Sequence, residues 1–342
     1  QRSTQGVSSA ASDVYKRQVK KVYISRIIVP DAIEKLRENF EIEVWEDPAP
    51  APKEIIMEKA REFDGMMIES NDLMDAEVFA HSDRLKVVGT RAIGVDNIDV
   101  SAATDNGVAI GNTPGILHES CADFTFGLML SLARQVTRSN RKVIAGDWKI
   151  FDQTPYLGLD VYGKTLGLIG LGLIGTAVAK RASGFDMDIL YYSRSRKPEE
   201  EAKYGLKWTP NLDDLLSSSD YVSVHVPLGP ETQNLIGSEE LSLMKKEAYL
   251  INTSRGGTVD SDALRKALIN GDIAGAALDV TAPEPIEPND PLVRMENVLI
   301  TPHIASASAA TLRRMGLMAA DNIIAYLNGQ PMPACLNPEV LK

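Results

Sequence analysis

The stretch "TLGLIGLGLIGTAVAKRASGF" constrains this chain more than any other. An apolar run leads into Gly170-Leu171-Gly172-Leu173-Ile174-Gly175, an Ala-rich helical segment follows, and "MDILYY" lies beyond it. Three glycines at this spacing, after a strand and before a helix, make the turn of a βαβ unit that binds a dinucleotide. Gly170 permits the tight turn, Gly172 lets the backbone approach a pyrophosphate, and Gly175 lets helix and strand pack closely. The helix N-terminus offers free N–H groups and partial positive charge to the phosphates. A purely structural glycine turn is the bland alternative, and the strand–turn–helix–strand context speaks against it.

From Lys20 onward, short β-branched runs alternate with amphipathic helical stretches. "KKVYIS", "EIEVWED", "GMMIES", "LKVVGT" and "GVAIGN" read as strands, separated by helices such as "PDAIEKLRENF", "PKEIIMEKAREF" and "AEVFAHSDR". Such alternation is the signature of a doubly wound parallel α/β sheet. The apolar period from Ile116 to about Ile144 predicts one extended helix. A second series then begins: "KTLGLIG", "MDILYY", "YVSVHVP", "AYLINTS", "GAALDV" and "NVLITPH". Two series predict two sheets with separate cores. The last helix, "AATLRRMGLMAADNIIAYLNG", has no strand of its own to cover. It is expected to return to the first domain, making that domain discontinuous. Residues 1–18 have no periodic pattern and are read as a disordered or artefactual extension.

Composition narrows the function. The 342 residues are 44% hydrophobic and carry a net charge of −11, with a pI near 5.0. That balance argues against nucleic acid or an acidic membrane as a partner. No apolar run reaches the ~18 residues needed to span a bilayer. Two cysteines, Cys121 and Cys335, make no disulfide framework, so a reducing, cytoplasmic setting is expected. No His/Cys/carboxylate cluster has zinc-like spacing, and no metal is expected.

The second strand of a dinucleotide unit ends ~20 residues after the glycines, where a carboxylate binds the ribose 2′-hydroxyl of NAD. Here "LYYSRSRKPEE" places Ser193 at that point, followed by Arg194, Ser195, Arg196 and Lys197. Asp186 and Asp188 lie at the wrong end of the strand. A guanidinium pairs with a 2′-phosphate through charge-assisted hydrogen bonds. The expectation is NADP(H) over NAD(H), with NAD(H) still usable, Arg194 leading and Ser193, Arg196 and Lys197 as the candidates to assist. For Arg196 or Lys197 taken alone, a solvated basic loop is the better reading.

Three further strand ends carry reactive side chains. "INTSRGG" offers Arg255, "ALDVTAPEP" offers Asp279 and Glu284, and "LITPHIAS" offers His303. A cation, an acid and an imidazole at the carboxyl ends of parallel strands suit hydride transfer to a small 2-keto acid. Each has an ordinary reading too: Arg255 a surface charge, Glu284 an exposed loop acid, His303 a capping histidine. Among the other histidines, His81 and His118 read as structural and His225 as a packed strand residue. Trp148 and Met332 are weighed as contributors to substrate choice, against an ordinary packing role.

Together with "VGTRAIGVDNID", these motifs make the sequence similar to the D-isomer-specific 2-hydroxyacid dehydrogenase family, and within it to the glyoxylate/hydroxypyruvate reductases. The match runs from about Lys20 to the C-terminus. The resemblance implies two Rossmann-like doubly wound parallel-sheet α/β domains. Residues 19–117 with 304–342 would form the discontinuous, flavodoxin-like substrate-binding domain, and residues 118–303 the dinucleotide-binding domain. It places the catalytic trio on Arg255, Glu284 and His303, and the substrate-carboxylate loop on Ala92-Ile93-Gly94. Further cofactor contacts fall on Pro227, Thr253, Asp279 and the backbone at His303. The implied reaction is NADPH-dependent reduction of glyoxylate or hydroxypyruvate to glycolate or D-glycerate, by a homodimer. A 2-ketogluconate or 3-phosphoglycerate dehydrogenase, or a dinucleotide-sensing corepressor-like binding protein, stays open as an alternative.

Overall fold

The computed structural model describes residues 19–27 and 29–341; the expected extension over residues 1–18 lies outside them. The chain divides into two compact units. The first gathers the described residues up to Arg91, residues 97–112 and the C-terminal stretch from Leu317. The second holds residues 92–96 and 113–316.

In the first unit, β1 (Lys21–Ile24), α1 (Pro30–Arg37), β2 (Glu41–Val44), α2 (Lys53–Glu62), β3 (Gly65–Ile68), α3 (Ala76–Ala80), β4 (Val87–Thr90), α4 (Val100–Asp105) and β5 (Ala109–Gly111) alternate along the chain. All strand pairs described are parallel, in the order β2-β1-β3-β4-β5, the flavodoxin-like arrangement. The central strands "GMMI" and "VVGT" are buried throughout, as a parallel sheet covered on both faces requires. The edge strand "EIEV" instead alternates exposed and half-buried positions.

The final helix, Ala309–Leu327, completes this core as expected. Its Ala319, Ala320, Ile323 and Leu327 are buried with Val22, Ile24, Met67, Val87 and Ala109. Met332 packs against the same core, which is the ordinary role weighed for it. The C-terminal segment is held by Asn337, only 1% exposed. Its Oδ1 accepts from the Ile110 N–H at 2.8 Å, and its Nδ2 donates to the Val108 carbonyl at 2.9 Å.

The second unit starts with α5 (His118–Ala133) and α6 (Val136–Ile144). Its sheet contains β6 (Thr165–Ile169), β7 (Asp188–Tyr192), β8 (Leu206–Trp208), β9 (Tyr221–Val224), β10 (Tyr249–Asn252), β11 (Gly275–Leu278) and β12 (Val298–Ile300). Between them run α7 (Leu173–Ala182), α8 (Pro198–Tyr204), α9 (Leu212–Ser218), α10 (Ser238–Leu243) and α11 (Ser261–Asn270). The strands are parallel in the order β12-β11-β10-β9-β6-β7-β8. Alternate side chains feed two cores, one on each face. Leu166, Leu168, Ile189 and Tyr191 meet Phe126, Met129, Val178 and Ala179 on one side. Ile169, Val222, Val224 and Leu250 meet Leu215, Leu241 and Leu264 on the other. The strand order reverses between β6 and β9, the switch point outside which such sheets bind ligands.

Two features differ from the sequence expectation. The predicted continuous helix from Ile116 to Ile144 is two helices, broken at Gln135, whose φ is +53°. The Ala133 carbonyl, which a continuous helix would satisfy internally, accepts from the Leu159 N–H at 3.0 Å. The apolar period persists across the break because Val136, Val143 and Ile144 serve an exposed face rather than the core. The strand β8 was not anticipated; its three residues are too few to show a period. Among the described residues, no helix is long and apolar enough to cross a membrane.

Asn337→Ala strands a buried N–H and a buried carbonyl, and should lower unfolding free energy by about 2–4 kcal/mol. Urea denaturation reads this directly, and an unshifted midpoint would refute the anchoring role.

Candidate active site

The sheet of the second unit brings the predicted residues to its carboxyl edge. The glycine turn follows β6, Ser193 follows β7, Pro227 lies beyond β9, Thr253 and Arg255 beyond β10, Asp279 beyond β11, and His303 beyond β12. The glycine turn has the expected form. Gly170 has φ +96°, and a Cβ on Gly175 would lie 2.3 Å from the Gly170 carbonyl oxygen. No heavy atom lies within 4 Å of where a Cβ on Gly172 would stand, and no side chain caps α7. An open backbone face beside an uncapped helix N-terminus fits a pyrophosphate.

Arg255 stands on a turn fixed from below by Asn252, 1% exposed, whose Nδ2 donates to the Arg255 carbonyl at 3.0 Å. The Asn252 Oδ1 accepts from the Ser254 N–H at 3.0 Å and the Ser254 hydroxyl at 2.8 Å. The guanidinium then points at the "RAIGVDN" loop. Its Nε donates to both Asp96 oxygens at 3.2 and 2.9 Å, and its Nη1 donates to the Ser254 carbonyl at 3.0 Å. Nη2 lies over Gly94, where an added Cβ would be only 2.0 Å away. The loop itself is pinned by the Thr113 N–H, which donates to the Ala92 carbonyl at 3.0 Å. Asp96 was not anticipated, although the sequence offered a signal: a carboxylate two residues beyond Gly94 in the quoted motif. Partial burial opposes its ionisation, but the Arg255 hydrogen bonds and charge outweigh this and hold its carboxyl below the ordinary range.

His303 and Glu284 are brought together, with Nδ1 2.5 Å from Oε1. That bond leaves Nε2 as the outward-facing ring nitrogen. Glu284 sits between Pro283 and Pro285, both in cis linkage. Burial again opposes ionisation, and the His303 hydrogen bond and charge win, keeping Glu284 below its usual value. The charge of Arg255 also lowers Glu284, and that of His303 lowers Asp96, so the four groups form one electrostatic cluster. Both carboxyls are depressed on folding, so their stabilising contribution is complete above the ordinary carboxylate range near pH 4 and is lost as pH falls through the lowered values.

The backbone at His303 has φ +53°, a conformation costly for a residue with a Cβ. Asp279, 1% exposed, holds it there. Its carbonyl accepts from the His303 N–H at 2.8 Å. Its Oδ1 accepts from the Thr301 hydroxyl at 2.6 Å and the Ile304 N–H at 2.9 Å, and its Oδ2 from the Ala305 N–H at 2.7 Å. Burial pushes this carboxyl above its ordinary value, against the pull of those three donors. The Ser120 hydroxyl, at the start of α5, donates to the Ala305 carbonyl at 3.3 Å and holds the segment from the other side.

The remaining candidates range from buried to fully exposed. Pro227 lies at the surface with its carbonyl accepting from the Thr232 hydroxyl at 2.6 Å. Thr253 is buried, 3.2 Å from the Thr125 hydroxyl. Beyond β7, Ser193 donates to the Ser195 carbonyl at 2.6 Å, and Arg194 is 90% exposed. Arg196, in contrast, is tied to Glu201. Burial drives His225 down to about 4, so the ring is neutral, in line with a packed strand residue. Trp148 is exposed rather than packed. Among the described residues, no group of three or more His, Cys, Asp or Glu could hold a metal ion.

Known proteins resemble this chain over most of its length. A profile for the NAD binding domain of D-isomer specific 2-hydroxyacid dehydrogenases matches residues 126–305. The chain is 47% identical over 323 residues to a glyoxylate reductase of Korarchaeum cryptofilum, covering 94% of this chain and 97% of the relative. It is 46% identical to a glyoxylate reductase of Pyrococcus horikoshii over 326 residues, 94% and 97% of the two chains. Among solved structures, the NADPH-dependent glyoxylate/hydroxypyruvate reductase of Sinorhizobium meliloti, in complex with NADP and malonate, superposes with a TM-score of 0.83. That pair shares 31% identity and covers 93% of this chain and 96% of the other.

A methyl group at Gly94 can be accommodated only by moving the end of a flexible side chain, Arg255. Gly94→Ala should therefore leave thermal stability within a few degrees of wild type while raising KM for a carboxylate-bearing substrate about tenfold or more. An unchanged KM would show that the guanidinium does not act from this position.

Proposed function

We propose that this chain, which belongs to the D-isomer-specific 2-hydroxyacid dehydrogenase family, is an NADPH-dependent glyoxylate/hydroxypyruvate reductase, forming glycolate or D-glycerate. The observation that carries the reading is the cluster of Arg255, set against Gly94 and Asp96, with the His303–Glu284 pair. The relatives named glyoxylate reductase support it, as does the Sinorhizobium meliloti reductase complexed with NADP and malonate, a small dicarboxylate.

In this reading the seven-stranded unit is the dinucleotide-binding domain, and the five-stranded unit belongs to the family's substrate-binding domain. Backbone N–H groups at Leu171–Ile174 hold the pyrophosphate between Gly170 and Gly175. Ser193, Arg194 and Ser195 receive the adenosine ribose, with Arg194 leading at the 2′-phosphate. Pro227 and Thr253 line the path to the nicotinamide, and the spare acceptor capacity of Asp279 takes the carboxamide. When bound, the reduced nicotinamide supplies the hydride for the carbonyl carbon.

The chain's own residues do the rest. Arg255, oriented by Asp96, and backbone N–H groups at Ala92–Gly94 bind the substrate carboxylate and align the ketone. His303 donates its Nε2 proton to the carbonyl oxygen, completing the hydroxyl, and is reprotonated from solvent. Glu284 accepts from Nδ1 and fixes the ring's tautomer and direction.

A homodimer is part of the same proposal. Ile144, Trp148, Ile150, Phe151 and Leu157 are each 60–85% exposed along one stretch that starts at the end of α6. A run of large apolar side chains left in water marks a protein interface.

Steady-state kinetics with glyoxylate, hydroxypyruvate and pyruvate, each with NADPH and NADH, test the reading. Glyoxylate and hydroxypyruvate should exceed pyruvate in kcat/KM about tenfold or more, and NADPH should exceed NADH. Arg194→Ala should cut the NADPH/NADH ratio about ten- to hundredfold. An unchanged ratio removes the cofactor assignment, and absence of turnover with all three acids points to a dinucleotide-sensing protein. Sedimentation should report twice the chain mass; a monomer contradicts the dimer.

A further inference from the structure

The loop after β7 holds two arginines in different states. Arg194 is 90% exposed, and its Nη1 lies 3.7 Å from Glu231, itself 80% exposed, so their pairing is a loose, solvent-screened one. Arg196 is captured. Its Nε donates to both Glu201 oxygens at 2.9 and 3.2 Å, and its Nη2 donates to Oε2 at 2.8 Å. The guanidinium also lies 6.0 Å over the Trp208 ring.

Glu201 is no ordinary surface acid. Its side chain is 13% exposed, and its Oε1 accepts from the Tyr191 hydroxyl at 2.6 Å. That hydroxyl in turn accepts from the Lys197 N–H at 2.7 Å, closing a network from β7 through the loop to α8. Arg196 first, and Tyr191 after it, hold the Glu201 carboxyl down to about 2, so it is ionised throughout the neutral range.

We propose that Glu201 sets the strength of cofactor discrimination by withholding Arg196: bound to this carboxylate, Arg196 is charge-neutralised and turned toward α8, leaving Arg194 to meet a 2′-phosphate alone. The inference rests on the reading that the loop after β7, from Ser193 to Ser195, receives the adenosine ribose. NAD carries no charge at the 2′-position and is indifferent to the arrangement. NADP meets one available guanidinium and, behind it, a carboxylate that partly cancels the field of the second. The pattern of "SRSRKPEE" thus overstates the cationic character of the site, because its second arginine is matched five residues later by an acid.

The test is equilibrium binding of NADP+ and NAD+ to the whole enzyme by isothermal titration, without turnover. Arg196→Ala should change NADP+ affinity less than about twofold, whereas Arg194→Ala should weaken it about tenfold or more. Glu201→Gln keeps an acceptor for Tyr191 but removes the charge. It should tighten NADP+ about three- to tenfold, steepen the salt dependence of its binding, and move NAD+ less than twofold. In the Glu201→Gln/Arg196→Ala double variant the gain should vanish.

Equal losses from Arg196→Ala and Arg194→Ala would overturn the proposal, because Arg196 would then already be engaged in wild type. That comparison stands even if Glu201→Gln fails to fold. A folded Glu201→Gln with unchanged or weaker NADP+ binding overturns it as well. If Arg194→Ala leaves NADP+ binding untouched, the underlying placement of the 2′-phosphate fails, and the proposal fails with it. A large Arg194 effect without the Glu201 effect removes only the proposal.

Discussion

One buried carboxylate governs the geometry of this site. Asp279 takes three donors from Thr301, Ile304 and Ala305 on its side chain and a fourth, from His303, on its carbonyl. Desolvating a carboxylate is expensive unless its lone pairs are filled, and here they nearly are. What the arrangement secures is a histidine backbone in the left-handed region, which few residues other than glycine adopt unaided. A proton donor must sit within a fraction of an ångström of its acceptor to be effective. The strained turn and the buried acid are two halves of one device for placing His303.

The second organising feature is alternation of charge. Asp96 meets Arg255, and Glu284 meets His303, so each cation at the sheet edge has its own carboxylate. Each pair fixes direction as much as it stabilises: side-on contact of Asp96 with Nε directs Nη2 over Gly94, and Glu284 on Nδ1 turns Nε2 outward. The same motif recurs in the loop after β7, where Arg196 is answered by Glu201. A chain with a net charge of −11 has acids to spare for such pairing.

Much of this was legible in the sequence because it is local. The glycine turn announces its conformation through Gly170 and Gly175, and strands buried on both faces announce themselves as apolar runs. Strand ends in a parallel sheet share one edge, so Arg255, Asp279 and His303 could be placed together before any geometry was known. What stayed hidden depends on contacts distant along the chain. The break at Gln135 is set by residues near Leu159 that take over the Ala133 carbonyl, which helical periodicity cannot reveal. Asp96 became meaningful only with Arg255 folded against it, 159 residues away in sequence. Glu201 reads as one more acid in the first turn of α8, and only packing against Tyr191 and Arg196 distinguishes it from Glu199 and Glu200.

The account stands or falls on His303 acting as the proton donor from the position in which Asp279 and Glu284 hold it. The direct measurement is the pre-steady-state rate of NADPH oxidation with glyoxylate in His303→Asn, alongside the NADPH dissociation constant of the same variant. A fall in the rate of about 10²–10⁴-fold with NADPH affinity essentially preserved is the predicted result. A variant that oxidises NADPH at more than a tenth of the wild-type rate would contradict it.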